Sequence, residues 1–108
     1  MNNCLISICV TSYSRVNELI RLLNSIDTKK YRSMVEVVIA EDKSPKRDEI
    51  RKAINDYKNN TNLVIRDYYN EKNLGYDRNL GNLIQLAHGD YIIFSSDDDT
   101  FIPKACRY

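Results

Sequence analysis

Four short apolar segments alternate with three segments of helical periodicity, and this alternation restricts the fold more than any other feature of the sequence. The apolar segments are typical of strands buried on both faces. We place them at 4–10, 35–40, 63–69 and 91–94. Strands that alternate with helices at this spacing form βαβ units. The sequence therefore predicts an α/β domain: a mostly parallel sheet of about four strands with helices on both faces.

Each helical segment carries one apolar stripe and has recognisable boundary signals. In the first segment, 16–26, apolar residues recur at helical spacing, and we expect Ser14 to cap its start. Ser44 and Pro45 predict the start of the second helix, as its cap and its first helical residue. The third helix is predicted to close at 88–89, where a glycine follows the last apolar positions.

Composition limits the classes of protein to which the chain can belong. Its 108 residues suffice for one domain, and sixteen basic against fifteen acidic residues give a net charge of +1. A nucleic-acid-binding protein usually has a strong basic excess, so we expect no nucleic-acid partner. Three cysteines without CxxC spacing indicate neither a disulfide framework nor a zinc site.

The sequence also lacks the usual signals for membranes and export. No apolar stretch approaches the roughly 18 residues of a membrane span, and the N-terminus does not have the pattern of a signal peptide. We therefore expect a cytoplasmic location, with peripheral membrane attachment through a further C-terminal part left open.

Polar residues collect where three of the predicted strands end. The first strand runs into 11–13, the second into Glu41 and Asp42, and the fourth into 97–99, which is a run of three aspartates. Carboxyl ends of parallel strands share one edge of a sheet, where ligands bind. Adjacent carboxylates repel one another unless a cation relieves them, and Mg²⁺ or Mn²⁺ takes carboxylate and phosphate oxygens. A solvated acidic turn is the alternative interpretation of the aspartates.

The loop after the first strand contains neither GxGxxG nor a Walker lysine. This argues against a dinucleotide-dependent oxidoreductase and a P-loop NTPase. A phosphate group bound at this edge would need a metal ion to neutralise it.

A hydrophobic strand precedes Thr-Ser-Tyr-Ser-Arg at 11–15, and a second strand precedes Glu-Asp-Lys-Ser at 41–44. Asn-Leu-Gly at 73–75 precedes Arg-Asn at 78–79, and the fourth strand leads to the aspartates at 97–99. These four motifs, in order and over essentially the whole chain, resemble those of family-2 glycosyltransferases. The resemblance implies a Rossmann-like GT-A fold, of which residues 1–108 form the nucleotide-diphospho-sugar-binding half.

The resemblance also implies a reaction and a set of site residues. The reaction is metal-dependent transfer of a sugar from a nucleotide-diphosphate donor, most naturally a UDP-sugar, to a saccharide or other hydroxyl acceptor, with Mn²⁺ or Mg²⁺ acting as a Lewis acid. By this resemblance, Thr11 and Tyr13 frame the base, and the carboxylate of Asp42 binds the base edge. Arg78 reaches the base or the diphosphate, and Asp97 faces the ribose or the metal. The metal ligands are Asp98 and Asp99.

The chain departs from the family pattern at several positions. Aligned on Pro103, the first aspartate of the DXD motif falls at Ser96, which shifts the motif to 97–99. Glu41 replaces an aspartate, and Lys43 replaces the glycine of the second-strand turn. Family members continue well beyond this length, into the acceptor site and the catalytic base. We therefore expect the base to lie outside these 108 residues, and the apolar surface of an isolated half to favour self-association.

Two other functions remain open at this point. The first is a non-catalytic module that binds the nucleotide sugar without transferring it, which a turnover assay distinguishes from an enzyme. The second is a flavodoxin-like signalling domain that binds Mg²⁺ through its acidic residues. Domains of that class have a lysine at the end of a later strand, and no such lysine is evident after the three aspartates.

Overall fold

The computed structural model describes residues 6–28 and 32–96, which contain four strands and three helices. In chain order they are β1 Ile6–Ser12, α1 Val16–Ile26, β2 Val35–Glu41, α2 Arg47–Lys58, β3 Val64–Tyr69, α3 Tyr76–Leu86 and β4 Tyr91–Ser96. The predicted alternation of strands and helices is confirmed. Across these described ranges, the helices are too short or too polar to cross a bilayer.

The four strands form one parallel sheet in the order β3-β2-β1-β4. The chain places β2 and β3 on one side of β1 and then returns to place β4 on the other side. The strand order thus reverses between β1 and β4, where Thr11 is the register partner of Ser96. Open parallel sheets bind ligands at such a reversal, outside the carboxyl ends of the strands.

Side chains of β1 point alternately to the two faces of the sheet, and each face carries its own hydrophobic core. Ile8 and Val10 belong to the larger core, together with buried residues of α1 and α2. Cys9 points to the opposite face and packs in a smaller core with Leu83 of α3. The predicted α/β architecture with helices on both faces is therefore confirmed.

The first helix lies where it was predicted, but its expected cap is wrong, and so is the expected start of the second helix. Ser14 has a φ of 62° and precedes the actual cap residue of α1, Arg15, which makes no side-chain capping bond. The second helix begins at Arg47 rather than at Pro45. Its expected cap, Ser44, instead donates its backbone N–H to the carboxylate of Glu41, at 2.9 Å. Residues 45–46 form a turn closed by a bond from Arg47 N to the backbone oxygen of Ser44 (3.2 Å), and the actual cap residue of α2, Lys46, makes no side-chain capping bond.

The expected end of the third helix is also wrong, since α3 stops at Leu86 with Ala87 as its cap. Gly89 lies beyond the helix and does not have a positive φ. A Cβ atom at Gly89 would lie 2.7 Å from the backbone nitrogen of Ser7. Glycine is therefore required here by the close approach of β1 to the chain that leads into β4.

A buried carboxylate ties this connection to the start of the sheet. Glu36 is 4% exposed and accepts hydrogen bonds from Ser7 Oγ (2.6 Å), Arg66 Nε (2.9 Å) and the backbone N–H of His88 (2.7 Å). Burial alone would raise the pKa of Glu36, but these bonds outweigh burial and hold the pKa below its ordinary value. Glu36 therefore stays ionised, and its partners fix the chain just before β4.

Cys9 is a buried core residue, whereas Cys4 and Cys106 lie outside the described residues. Burial raises the pKa of the Cys9 thiol to about 11; the charge of Glu36 adds to this shift and that of Arg66 opposes it. A thiol with so high a pKa is a poor nucleophile and a poor metal ligand near neutral pH. Cys9 thus contributes packing rather than chemistry.

Candidate functional site

A cavity of about 440 Å³ opens at the carboxyl edge of the sheet, beside the reversal of strand order. This volume lies within the range of pockets that hold small molecules. Four segments contribute to it: the end of β1 with the loop after it, the end of β2, the start of α3 and the end of β4. The lining residues are Thr11, Ser12, Tyr13, Arg15, Asp42, Asn73, Gly75, Tyr76, Asn79 and Ser96.

Asp42 lines this cavity and is 6% exposed. Its Oδ1 accepts hydrogen bonds from Leu74 N (2.7 Å) and Asn70 Nδ2 (2.9 Å), and its Oδ2 accepts one from Gly75 N (3.0 Å). A carboxylate offers about four acceptor positions, two on each oxygen. Within the described protein, one position on Oδ2 is therefore left for a ligand.

The turn after β2 is held by the neighbouring carboxylate. Glu41 is fully buried and accepts hydrogen bonds from Lys43 N (2.8 Å), Ser44 N (2.9 Å) and Arg47 Nε (3.1 Å). Lys43 has a φ of 55°, a conformation that favours glycine over a residue with a side chain. The bonds to Glu41 offset that cost, which explains how lysine stands where the resembling family has glycine.

The turn before α3 is anchored on Asp42. Gly75, the cap residue of α3, has a φ of 83°, which a residue with a Cβ rarely adopts. The Nδ2 of Asn73 donates to the backbone oxygen of Asp42 at 2.9 Å, in addition to the two backbone bonds from 74 and 75 to its carboxylate. The first turn of α3 is thus held at the cavity, with the positive end of its dipole on that side.

Two aromatic side chains stand at the mouth of the cavity. Tyr13 is 48% exposed and Tyr76 is 60% exposed, and both line the cavity. Tyrosine rings offer flat apolar faces on which a planar ligand ring can pack. The cavity therefore combines an ionisable acceptor on its wall with aromatic surface at its rim.

The sequence-predicted site residues divide into three groups. Thr11, Tyr13 and Asp42 lie around the same cavity. Arg78 lies exposed in the first turn of α3 and is not among the lining residues. The three predicted aspartates, 97–99, lie outside the described residues. Within the parts of the chain that are described, no group of three acidic, histidine or cysteine residues is placed to hold a metal ion.

Three asparagines of the site were not predicted from the sequence as functional residues. Asn79 is 1% exposed, lines the cavity and donates from Nδ2 to the Ala40 backbone oxygen at 3.1 Å. Asn73 and Asn70 both bond to Asp42. Asn73 and Asn79 fall in the Asn-Leu-Gly and Arg-Asn motifs, so the motifs were a signal for them. No sequence pattern marked Asn70.

Comparison with known proteins identifies a single family over nearly the whole chain. The profile of the family described as "Glycosyl transferase family 2" matches residues 7–107. The abequosyltransferase RfbV of Salmonella typhimurium is 41% identical over an alignment of 96 residues, and the match covers 87% of this chain and 28% of that protein. A glycosyltransferase of Haemophilus influenzae is 36% identical over 95% of this chain and 32% of its own length. The chain thus spans about a third of these relatives or less.

Solved structures confirm the fold. The mannosyltransferase PcManGT of Pyrobaculum calidifontis, in complex with GDP-Man and Mn²⁺, matches with a TM-score of 0.78 at 17% identity. Staphylococcus aureus TarS in complex with UDP matches with a TM-score of 0.76 at 24% identity. Each match covers 89% of this chain and 28% of the other. The parallel sheet and its helices therefore have the fold of GT-A glycosyltransferases.

Proposed function

Because the chain belongs to glycosyltransferase family 2, we propose that its cavity binds the nucleotide of a nucleotide-diphosphate sugar, and that the sugar is transferred to a hydroxyl acceptor. The observation that carries the proposal is the buried carboxylate of Asp42, which keeps one acceptor position at a cavity of suitable size. A nucleobase edge offers the N–H donor that such a carboxylate needs.

Uracil is the base that we propose, so the donor is a UDP-sugar. The remaining position on Asp42 Oδ2 suits a single ring N–H, such as N3–H of uracil. Tyr13 is proposed to pack against the ring. Thr11 lines the same pocket, which supports the roles implied by the family resemblance. Cytosine and guanine also carry N–H groups, so CDP and GDP must be compared with UDP in any test of the proposal that the base is uracil.

The diphosphate is proposed to bind with Mn²⁺ or Mg²⁺ beside the end of β4. Ser96 lines the cavity, and the next residue in the chain is Asp97. We propose Asp98 and Asp99 as the metal ligands and Asp97 as the residue that faces the ribose or the metal. A divalent ion held there would act as a Lewis acid and neutralise charge on the leaving diphosphate. Arg78, in the first turn of α3, is proposed to reach toward the base or the diphosphate.

The acceptor and the catalytic base are assigned to sequence outside these 108 residues. The chain corresponds to 28% of RfbV, and its cavity is the place that we propose for the nucleotide. A base must lie within hydrogen-bonding reach of the acceptor hydroxyl. We therefore propose that this chain contributes the donor half of a sugar transferase, and that a saccharide or another hydroxyl compound accepts the sugar.

Self-association of the 108-residue chain is also proposed. β4 lies at the edge of the sheet, and three of its large apolar side chains are well exposed: Tyr91 (64%), Ile92 (38%) and Phe94 (45%). Apolar residues on an unpaired edge strand favour pairing with another strand. This surface supports association of the chain through β4.

Titration calorimetry with UDP, CDP and GDP, each with and without Mn²⁺, tests the proposed function. We expect UDP to bind more tightly than CDP or GDP, and chelation of the metal to weaken UDP by about tenfold or more, since the ion screens the diphosphate from nearby carboxylates. Uridine is the matched control, because it lacks the diphosphate and should bind independently of metal. Absence of binding by all three nucleotides would overturn the proposal, and tighter binding of CDP or GDP would overturn the choice of uracil.

A further inference from the structure

Asn70 lies just after β3 and outside the cavity lining, yet its polar groups all have partners. Its backbone N–H donates to the backbone oxygen of Glu41 (3.0 Å), and its own backbone oxygen accepts a hydrogen bond from Arg47 Nη2. Its side-chain oxygen accepts from Asn82 Nδ2 at 3.4 Å. One residue thus connects the end of β2 with α2 and α3.

The side-chain nitrogen of Asn70 makes the two bonds that matter for the cavity. Nδ2 donates to Asp42 Oδ1 and to Asn79 Oδ1, each at 2.9 Å. Both acceptors belong to residues that line the cavity. The two hydrogens of one amide therefore link a cavity residue just after β2 to a cavity residue on α3.

The orientation of these amides follows from the network itself. The partner of Asn79 Nδ2 is the backbone oxygen of Ala40, which can only accept. The other side-chain atom of Asn79, which faces Asn70, must then be its oxygen. Asn70 in turn meets that oxygen and a carboxylate, so it must present its NH₂ group to both.

We propose that Asn70 is a positioning residue for nucleotide binding: it orients Asp42 and Asn79 without touching the ligand. This inference rests on the proposed function of the cavity. Together with the backbone N–H of Leu74, Asn70 occupies both acceptor positions of Asp42 Oδ1. The carboxylate is thereby locked with Oδ2 as the only oxygen that has capacity for a base N–H.

Asparagine is the residue type that this position requires. Two acceptors at 2.9 Å need two donors from one short side chain. Serine offers a single donor, and ionised aspartate offers none. An aspartate here would place two carboxylates in contact and leave Asn79 Oδ1 facing a further oxygen.

The N70D substitution tests this role through its pH dependence. The introduced carboxyl group faces the carboxylate of Asp42, with Glu41 nearby, and these negative charges raise its pKa, whereas Arg47 acts in the opposite direction. Protonated, it again donates a hydrogen bond to Asp42. We expect UDP affinity, measured relative to the unsubstituted chain at each pH, to be weaker by about tenfold near pH 8 and to recover near pH 5.5.

The N60D substitution is the matched control. The side chain of Asn60 donates one hydrogen bond, to the backbone oxygen of Asp56 at 2.9 Å, and it lies exposed after α2, away from the cavity. The same change of charge there should leave UDP affinity within about twofold at both pH values. An affinity loss for N70D that is equal at both pH values, or no loss at all, would overturn the positioning role.

Hydrogen exchange at the amides of Leu74 and Gly75 separates failure of this inference from failure of the proposed function. Both N–H groups donate to Asp42, so N70D should speed their exchange near pH 8, relative to the unsubstituted chain, and restore it near pH 5.5. If this occurs while UDP, CDP and GDP fail to bind the unsubstituted chain, the role of Asn70 in orienting Asp42 stands and the nucleotide proposal falls. Unchanged exchange at both amides would contradict the inference directly.

Discussion

Asparagine in place of Asp42 should lower the free energy of unfolding by about 3 kcal/mol and weaken UDP binding by about 100-fold. The three groups bonded to the Asp42 carboxylate are all donors: Asn70 Nδ2, Leu74 N and Gly75 N. An amide has only one oxygen, so its NH₂ group would face at least one of these donors in a buried site. The negative charge proposed to meet the base N–H would also be lost. Urea unfolding and calorimetry with UDP and Mn²⁺ measure the two effects.

The matched control for this prediction is Asp48→Asn. Asp48 has the same side chain and lies exposed in the first turn of α2, where its charge interacts mainly with the helix dipole. Its replacement should cost less than about 1 kcal/mol and leave UDP affinity unchanged. If the two variants lose similar stability and both retain UDP affinity, Asp42 has no special place in the site.

Alanine in place of Gly89 should be the most destabilising single methyl addition in the described part of the chain. Its Cβ would lie 2.7 Å from Ser7 N, 2.8 Å from Ser7 Oγ and 2.9 Å from the carbonyl carbon of Ile6. Two of these contacts are with backbone atoms of β1, which cannot move without disturbing the centre of the sheet. The bond from Gly89 N to Ser7 Oγ, at 2.7 Å, would be strained as well. We expect a loss of about 3 kcal/mol in urea unfolding.

The same substitution at another glycine, Gly81→Ala, is expected to raise the free energy of unfolding rather than lower it. Gly81 lies within α3, and an added Cβ would meet nothing within 4 Å. Alanine is favoured over glycine in a helix interior, so this variant should gain about 0.5–1 kcal/mol. Equal effects of the two substitutions would show that the close packing of Gly89 against β1 does not matter for stability.

The fold could be predicted from the sequence because its signals are local. Each strand is a continuous apolar segment and each helix carries a periodic stripe, so element types follow from neighbouring residues alone. The strand order β3-β2-β1-β4, in contrast, could not be predicted from local sequence signals. It depends on which strands meet after folding, and the periodicity of a segment contains no information about its partner.

Helix boundaries were predicted wrongly where the chain makes tertiary contacts beside a helix. Ser44 and Pro45 have the pattern of a helix start, but Ser44 is held in the turn after β2 by the buried carboxylate of Glu41, and the helix begins only at Arg47. His88–Gly89 has the sequence of a helix end, yet the glycine serves the packing against Ser7. In both cases the deciding partner is a buried group whose position the local pattern does not indicate.

The candidate site was predictable to the extent that strand ends determine it. Thr11, Tyr13 and Asp42 lie at or just after the ends of strands that run parallel, so placing them at one edge required only the fold class. Their roles in binding a nucleotide stay predictions, as do those of Arg78 and the aspartates at 97–99. Asn70 could not be found in this way, because its bonds join β2, α2 and α3.

The central claim is that the carboxyl edge of this sheet holds a nucleotide diphosphate together with a divalent metal ion. Paramagnetic broadening in ¹H–¹⁵N spectra, recorded with Mn²⁺ in the presence and absence of UDP, tests it most directly. We predict UDP-dependent broadening that is strongest at the ends of β1 and β4, around Thr11 and Ser96, and weakest at their starts, around Ile6 and Tyr91. Broadening centred on the starts of these strands, or broadening that does not depend on UDP, would contradict the claim.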